Sequence, residues 1–442
     1  DMIYASKGTI IIDSGFFKSG TPAWTLNCKD AAFKDGSAKI IVNGGEFVGF
    51  DPRNNKAEGT GTSFVADGVG VDYGAETSTF TAKANMTAQL LDASGNSVKA
   101  YTSLADAITA AEAGQTVTLL DNVTDNIEIA TDKNFTLDLN GHTINGGTGT
   151  AKATITNYGT VTITDSSTAK TGTIKRDDSG TVGETSYYVI RNIGTMTIEQ
   201  ANVTNNSGYR KTNPSGSMVG SSLICNGGDV GVTLTINGGT FTQMNFLVVK
   251  NDALGTLNVT GGTFTSSHSA IQNWFKANIT GGEINGQLWT DSWAVGESVG
   301  ETTIGGNAKV KGEIVMDITG SIKPTLEISG GNFDVTWRIT NAAANAGAKP
   351  AVSGGTFSSA VAPEYCAEGF EPIANGDGTF GVKEISAAKI GNVEYETLAA
   401  AFAAAKDGET IVLLKNSSGN GIQVNTEKFV NQGLTADFNG HT

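Results

Sequence analysis

A phrase of the form apolar-x-apolar-x-Gly-Gly-x-Phe recurs through the chain and restricts its fold more than any other feature. It stands complete at 234–241, 257–264 and 326–333, and in shortened versions at 279–284, 304–310 and 352–357. The first glycine of each pair falls at 238, 261, 281, 305, 330 and 354, giving steps of 23, 20, 24, 25 and 24 residues. A step of that size marks stacked supersecondary units, none of which can bury its apolar face alone. The predicted fold is all-β: a parallel β-helix, or β-solenoid, with about 20–25 residues per coil.

Period-2 alternation sends successive strand side chains to opposite faces. Ile163, Ile198, Ile236, Val259, Ile279, Ile328 and Val352 then form one inward column, and Val161, Met196, Leu234, Leu257 and Leu326 a second. Phe241, Phe264, Phe333 and Phe357 form a third. Thr162, Thr197, Thr235, Asn258, Asn278 and Glu327 point to solvent, where β-branched Thr suits a strand. The glycine pairs turn the corners, since positive φ costs glycine little.

A second, larger period overlies the first. Residues 101–120 match 395–414 at an offset of 294, and both lead to one phrase, Asp138-Leu-Asn140-Gly141-His142-Thr143 and Asp437-Phe-Asn439-Gly440-His441-Thr442. Leu104, Ala107, Ile108 and Ala111, like Leu398, Ala401, Phe402 and Ala405, have the i, i+3, i+4, i+7 spacing of a short amphipathic helix. Ser103 or Thr397 is placed to cap its start and Gly114 or Gly408 to end it. Such helices, over 103–114 and 397–407, are expected to cover open strand edges that invite aggregation. Residues 1–83 then read as the C-terminal part of one module, 84–97 as a linker, 98–382 as a complete module and 383–442 as the start of the next. At about 24 residues per coil the complete module has about twelve coils, a rod of ~57 Å at ~4.8 Å per strand. The window opens on Asp1 out of phase with its modules, so a longer parent is expected.

The phrases at 395–414 and 137–143, the repeated Gly-Gly-Thr-Phe, and the exit from Cys366-Ala-Glu-Gly-Phe370 through Asn375-Gly-Asp-Gly-Thr-Phe380 resemble very large tandem β-helix proteins. These are surface proteins of Gram-positive gut bacteria and structural proteins encoded by phages, with a pectate-lyase-like right-handed β-helix. The resemblance covers nearly the whole chain and implies architecture rather than activity. Its motifs are turns, core columns and caps, and enzymes, adhesins and tail spikes share the scaffold.

Composition narrows the partners. Lys and Arg number 29 against 44 Asp and Glu, a net charge of −15. With no basic run, neither nucleic acid nor an anionic membrane surface is an expected partner. No apolar run reaches the ~18 residues of a membrane span. Cys28, Cys225 and Cys366 are odd in number, far apart and without CxxC spacing, so they read as buried small hydrophobes rather than a disulfide framework or zinc site.

Chemistry is sparse. A β-helix hydrolase needs two carboxyls on one bond, and the position after each apolar-x-apolar unit holds Thr164, Glu199, Asn237, Thr260, Thr280, Ser329 and Ser353, with no column of acids. Arg176-Asp177-Asp178 is the nearest thing to a lyase cluster, and it reads as a solvated turn. His142 and His441 share the repeated turn phrase, and His268 stands alone. An outward Thr ladder for ice is interrupted by Asn258, Asn278, Glu199 and Glu327. No cofactor, metal or catalytic set is expected.

One stretch is richer. Residues 272–293 hold three of the five tryptophans, Trp274, Trp289 and Trp293, among Gln287 and Asp291. Exposed indoles rimmed by polar groups suit a sugar face, apolar C–H framed by hydroxyls. The alternative is that these tryptophans fill a wider coil. Trp337 with Arg338 offers a further stacking surface. The expected function is a non-enzymatic extracellular structural or adhesive rod on a cell or virion surface, with a host or bacterial glycan, or its own copies in a fibre, as partner. A carbohydrate-active lyase or hydrolase, or a phage tail fibre or spike, is the alternative.

Overall fold

The computed structural model describes residues 1–442 except 56, 57, 60, 147–151, 177–187, 206–221, 245, 294–297, 419 and 420. Strands make up 45% of the chain and helix 8%, and the strands pair as coil stacking requires, in long parallel sheets. One twelve-stranded sheet begins with Ser97–Tyr101 and Ala88–Leu91 and continues through ten parallel strands, from Thr116–Leu119 to Pro350–Val352. A second, of seventeen strands, carries two further strand series, which merge into single long strands from Thr263–Asn273 onward.

Register shows why the alternation was so strict. Leu137, Ile163, Ile198, Ile236, Val259, Ile279, Ile304, Ile328 and Val352 are successive partners, and all are buried. The neighbouring column runs from Phe135 and Val161 to Leu257, then passes Ala277 and Thr302 before Leu326. In the third column, Ile284 and Val310 separate two stacked aromatic pairs. Phe241 and Phe264 have centroids 4.9 Å apart, and Phe333 and Phe357 4.6 Å.

The two glycines of each pair serve different needs. Gly262 has φ +88°, a conformation that a side chain resists. Gly261 has no such φ, but a β-carbon there would overlap the carbonyl of Asn237 on the preceding coil. One glycine turns the chain; the other lets two coils touch.

A buried asparagine ladder was not read from the sequence. Asn157 Nδ2 donates to Asn192 Oδ1 at 2.8 Å, Asn192 to Asn226 at 2.8 Å, Asn226 to Asn251 at 2.7 Å and Asn251 to Asn273 at 2.7 Å. Asn273 ends the series on Thr302 Oγ1 at 2.9 Å. Each of these amides also donates to a main-chain carbonyl at the corner, so buried polar groups there are satisfied.

Coils are fewer than expected. Ten parallel strands replace the anticipated twelve coils, because two steps, Thr162 to Thr197 and Thr197 to Thr235, take 35 and 38 residues. Nine rises of ~4.8 Å give a stack of ~43 Å rather than ~57 Å.

The helices are shorter than expected. They span Leu104–Ala110 and Leu398–Ala404, each with its cap side chain, Ser103 or Thr397, accepting a main-chain N–H. Both end before the glycine, since Ala111 and Ala405 are already extended. Gly114 and Gly408 take left-handed φ in the following turn. Apolar side chains gather in three clusters, from Ala5 to Ala82, Ala88 to Cys366 and Ala388 to Ile411.

Residues 84–97, expected as a linker, contain the strand Ala88–Leu91 and lead into the strand that starts at Ser97. Ala88–Leu91 lies between Ser97–Tyr101 and Thr116–Leu119, antiparallel to both, because Ala88 and Leu90 belong to the second cluster. The Gln89 amide reaches the first cluster, accepting from Val71 N at 2.7 Å and donating to Val71 O at 2.9 Å, as a neighbouring strand's peptide would.

Candidate functional site

The merged strands Thr263–Asn273, Glu283–Ser292, Lys309–Ile318 and Asn332–Ile339 are the longest individual strands, pair in parallel and present one outer face. Leu288 and Ile314 point inward, where they join the core cluster. Alternation therefore turns Gln287, Trp289 and Asp291 outward. Register sets Trp289 beside Gln272 on one side and Val315 on the other, and Asp291 beside Asp317. Val315 pairs in turn with Arg338.

Hydrogen bonds and ion pairs tie this face together. Trp274 Nε1 donates to Asp291 Oδ2 at 2.9 Å. Lys250 Nζ pairs with Asp252 at 2.8 Å and lies 5.0 Å from the Trp274 ring centroid. Glu313 Oε2 accepts from Gln287 Nε2 at 2.8 Å and from Arg338 Nε at 3.1 Å. The Arg338 guanidinium lies 5.6 Å from the Trp289 ring centroid, a cation–π contact. Asp317 Oδ1 accepts from the Thr340 hydroxyl at 2.6 Å. Burial pushes the Asp291 carboxyl above the usual carboxylate range; the Trp274 N–H opposes this and the charge of Asp317 adds to it.

Three buried polar atoms on this face make no full hydrogen bond among the described residues, Gln272 Oε1, Trp289 Nε1 and Asp291 Oδ1, though the main-chain N–H groups of Ser292 and Thr319 lie near enough to the Asp291 carboxyl to oppose the rise in its pKa. Gln272 is 1% exposed and Asp291 3%. Unmade bonds at such burial are costly, about 1–3 kcal/mol each, and call for an explanation.

The structure thus brings Trp274, Gln287, Trp289 and Asp291 together. Trp274 and Trp289 lie outside the apolar cluster of the coil interior, but Trp274 is buried, 8% exposed, and only Trp289 of the two is partly exposed. Trp293 stands at the strand end, 55% exposed, its main-chain N–H bonded to Ser298 O. Trp337 separates from Arg338, packing toward Phe357 and Tyr365 while Arg338 joins the outer face. Arg176 is no solvated turn residue. It sits in the strand Thr173–Arg176 at 1% exposure and donates to Lys152 O, while Asp177 and Asp178 lie outside the described residues.

His268 Nδ1 meets Ser269 Oγ at 3.1 Å. His142 and His441 follow left-handed Asn-Gly pairs, Asn140-Gly141 and Asn439-Gly440. Gln272, Glu313 and Asp317 were not singled out from the sequence. A signal was present for two of them: Gln287-Leu-Trp-Thr-Asp291 aligns with Glu313-Ile-Val-Met-Asp317 one coil on.

No family model, curated protein or solved structure matches the chain. No helix among the described residues is long and apolar enough to cross a membrane.

Proposed function

We propose that this chain is a right-handed parallel β-helix rod, built from modules with the two short helices as caps, and that it works outside the cell as a non-enzymatic structural and adhesive protein. Its outer face at Trp274, Gln287, Trp289, Asp291 and Trp293 binds a glycan. The supporting observation is the pair of indoles, partly exposed Trp289 and exposed Trp293, with Gln287 and Glu313 bonded beside them on the outer face. Arg338 and Glu313 border them through a half-exposed ion pair, which is worth at most about 1 kcal/mol and is cheaply opened.

The test is retention of the full chain on a panel of host and bacterial polysaccharides, with assay of reducing ends. The expected result is retention without release of shortened sugars, reduced about tenfold in Trp289→Ala and in the exposed Trp293→Ala. Failure to be retained on any polysaccharide would overturn the reading.

A second reading, a glycoside hydrolase, draws on the in-register acids. Asp291 is shielded and its pKa raised, while Asp317 is more exposed; two carboxyls in unlike environments are what acid and base roles require. Sustained release of reducing ends, lost in Asp317→Asn, would favour it.

A further inference from the structure

We infer that the glycan held on this face is an extended stretch of several sugar units, lying along the strand from Trp289 to Trp293, and not a single terminal sugar. This rests on the glycan-binding reading above and deepens it. The first argument is where alternation puts the two indoles. Leu288, Thr290 and Ser292 are buried, so residues 289, 291 and 293 share the outer side of one extended segment. The main chain keeps its pairing to the end of that segment. Ser292 pairs with Ile318 and bridges Val299, and the Trp293 main-chain N–H bonds to Ser298 O. Four residues at ~3.3 Å each root the two indoles ~13 Å apart. A single sugar ring stacks on one of them; a chain of rings reaches both.

The second argument is which directions are closed. Across the strands, the partner of Trp289 on one side is Gln272, which at 1% exposure offers no surface. On the other side the Arg338 guanidinium lies 5.6 Å from the Trp289 ring centroid and is held by Glu313. Along the strand, Asp291 is 3% exposed and bonded to the Trp274 N–H, so the outward residues from 289 to 293 include no exposed charge. The exposed aromatic surface therefore continues from Trp289 toward Trp293, and the apolar C–H faces of successive sugar rings suit it.

The experiment titrates the full chain by calorimetry with cello-, malto-, manno- and chito-oligosaccharides, from disaccharide to hexasaccharide. In at least one series affinity is expected to rise about tenfold from disaccharide to tetrasaccharide and then to level off, because the second indole adds its contact within one bound chain. Trp289→Ala and Trp293→Ala should each flatten that series, with disaccharide and tetrasaccharide bound within about twofold of each other. Trp293 is 55% exposed, so its replacement leaves the fold intact, which circular dichroism checks. Affinity independent of length in the parent, or a length dependence that survives in Trp293→Ala, would overturn this inference and leave glycan binding standing. No binding in any series would overturn both.

Discussion

Asp291 shows how much one side chain can reveal beyond its place in a pattern. From the sequence it was a polar rim beside two tryptophans; the structure buries it, 3% exposed and bonded to the Trp274 N–H. Its burial and its in-register neighbour Asp317 were hidden, because acids were sought in the wrong strand series, after the apolar-x-apolar units of the twelve-stranded sheet. Its titration has a consequence for stability. A carboxyl whose folded pKa is raised contributes stability that is fully present below its unfolded pKa, near 3.8, and is lost as pH rises through the folded value. Asn in its place keeps an acceptor for the Trp274 N–H and carries no charge. Asp291→Asn should therefore melt higher than the parent at pH 7, and the advantage should shrink as pH falls toward 4. A difference in melting temperature that is flat across that range, or reversed in sign, would contradict this.

Among elements, the strands were readable and the asparagine ladder was not. The apolar columns follow from alternation alone, and the Phe column from its spacing to the glycine pair. The units Ile155-Thr-Asn157, Ile190-Arg-Asn192, Ile224-Cys-Asn226, Val249-Lys-Asn251 and Ile271-Gln-Asn273 were equally regular. Asn at a strand end, however, reads as a turn former, and the steps between these asparagines, 35, 34, 25 and 22 residues, are uneven. Only stacking shows that the amides meet. Asn226 lies mid-ladder, accepting from Asn192 and donating to Asn251 and Thr256 O. Asn226→Ala strips a donor from buried Asn251 Oδ1 and an acceptor from Asn192 Nδ2, and should cost about 2–4 kcal/mol. Urea denaturation measures it, and a loss under 1 kcal/mol would mean that the ladder is slack.

For the whole molecule, the boundary between the first two apolar clusters is a bonded seam rather than a tether. Gln89 supplies two bonds across it, Asp51 accepts the Ser97 N–H and hydroxyl, and Asp72 accepts the Ala100 N–H. At the next boundary the residue matching Gln89 is Lys389, which has no carbonyl to accept with. Gln89→Leu leaves the Val71 N–H and C=O without these partners. Calorimetry should then resolve the first cluster as a separate, lower transition, about 2–4 kcal/mol weaker; a single unshifted transition would refute the seam. The asparagine ladder also governs how such a stack of strands can lengthen. Every amide in it passes its proton the same way along the stack. An extra coil that brings its own Ile-x-Asn slots into the series unnoticed, while one without it strands a carbonyl on one side and an N–H on the other. Growth by duplication of whole coils is therefore tolerated there, and growth by arbitrary insertion is confined to the loops between them.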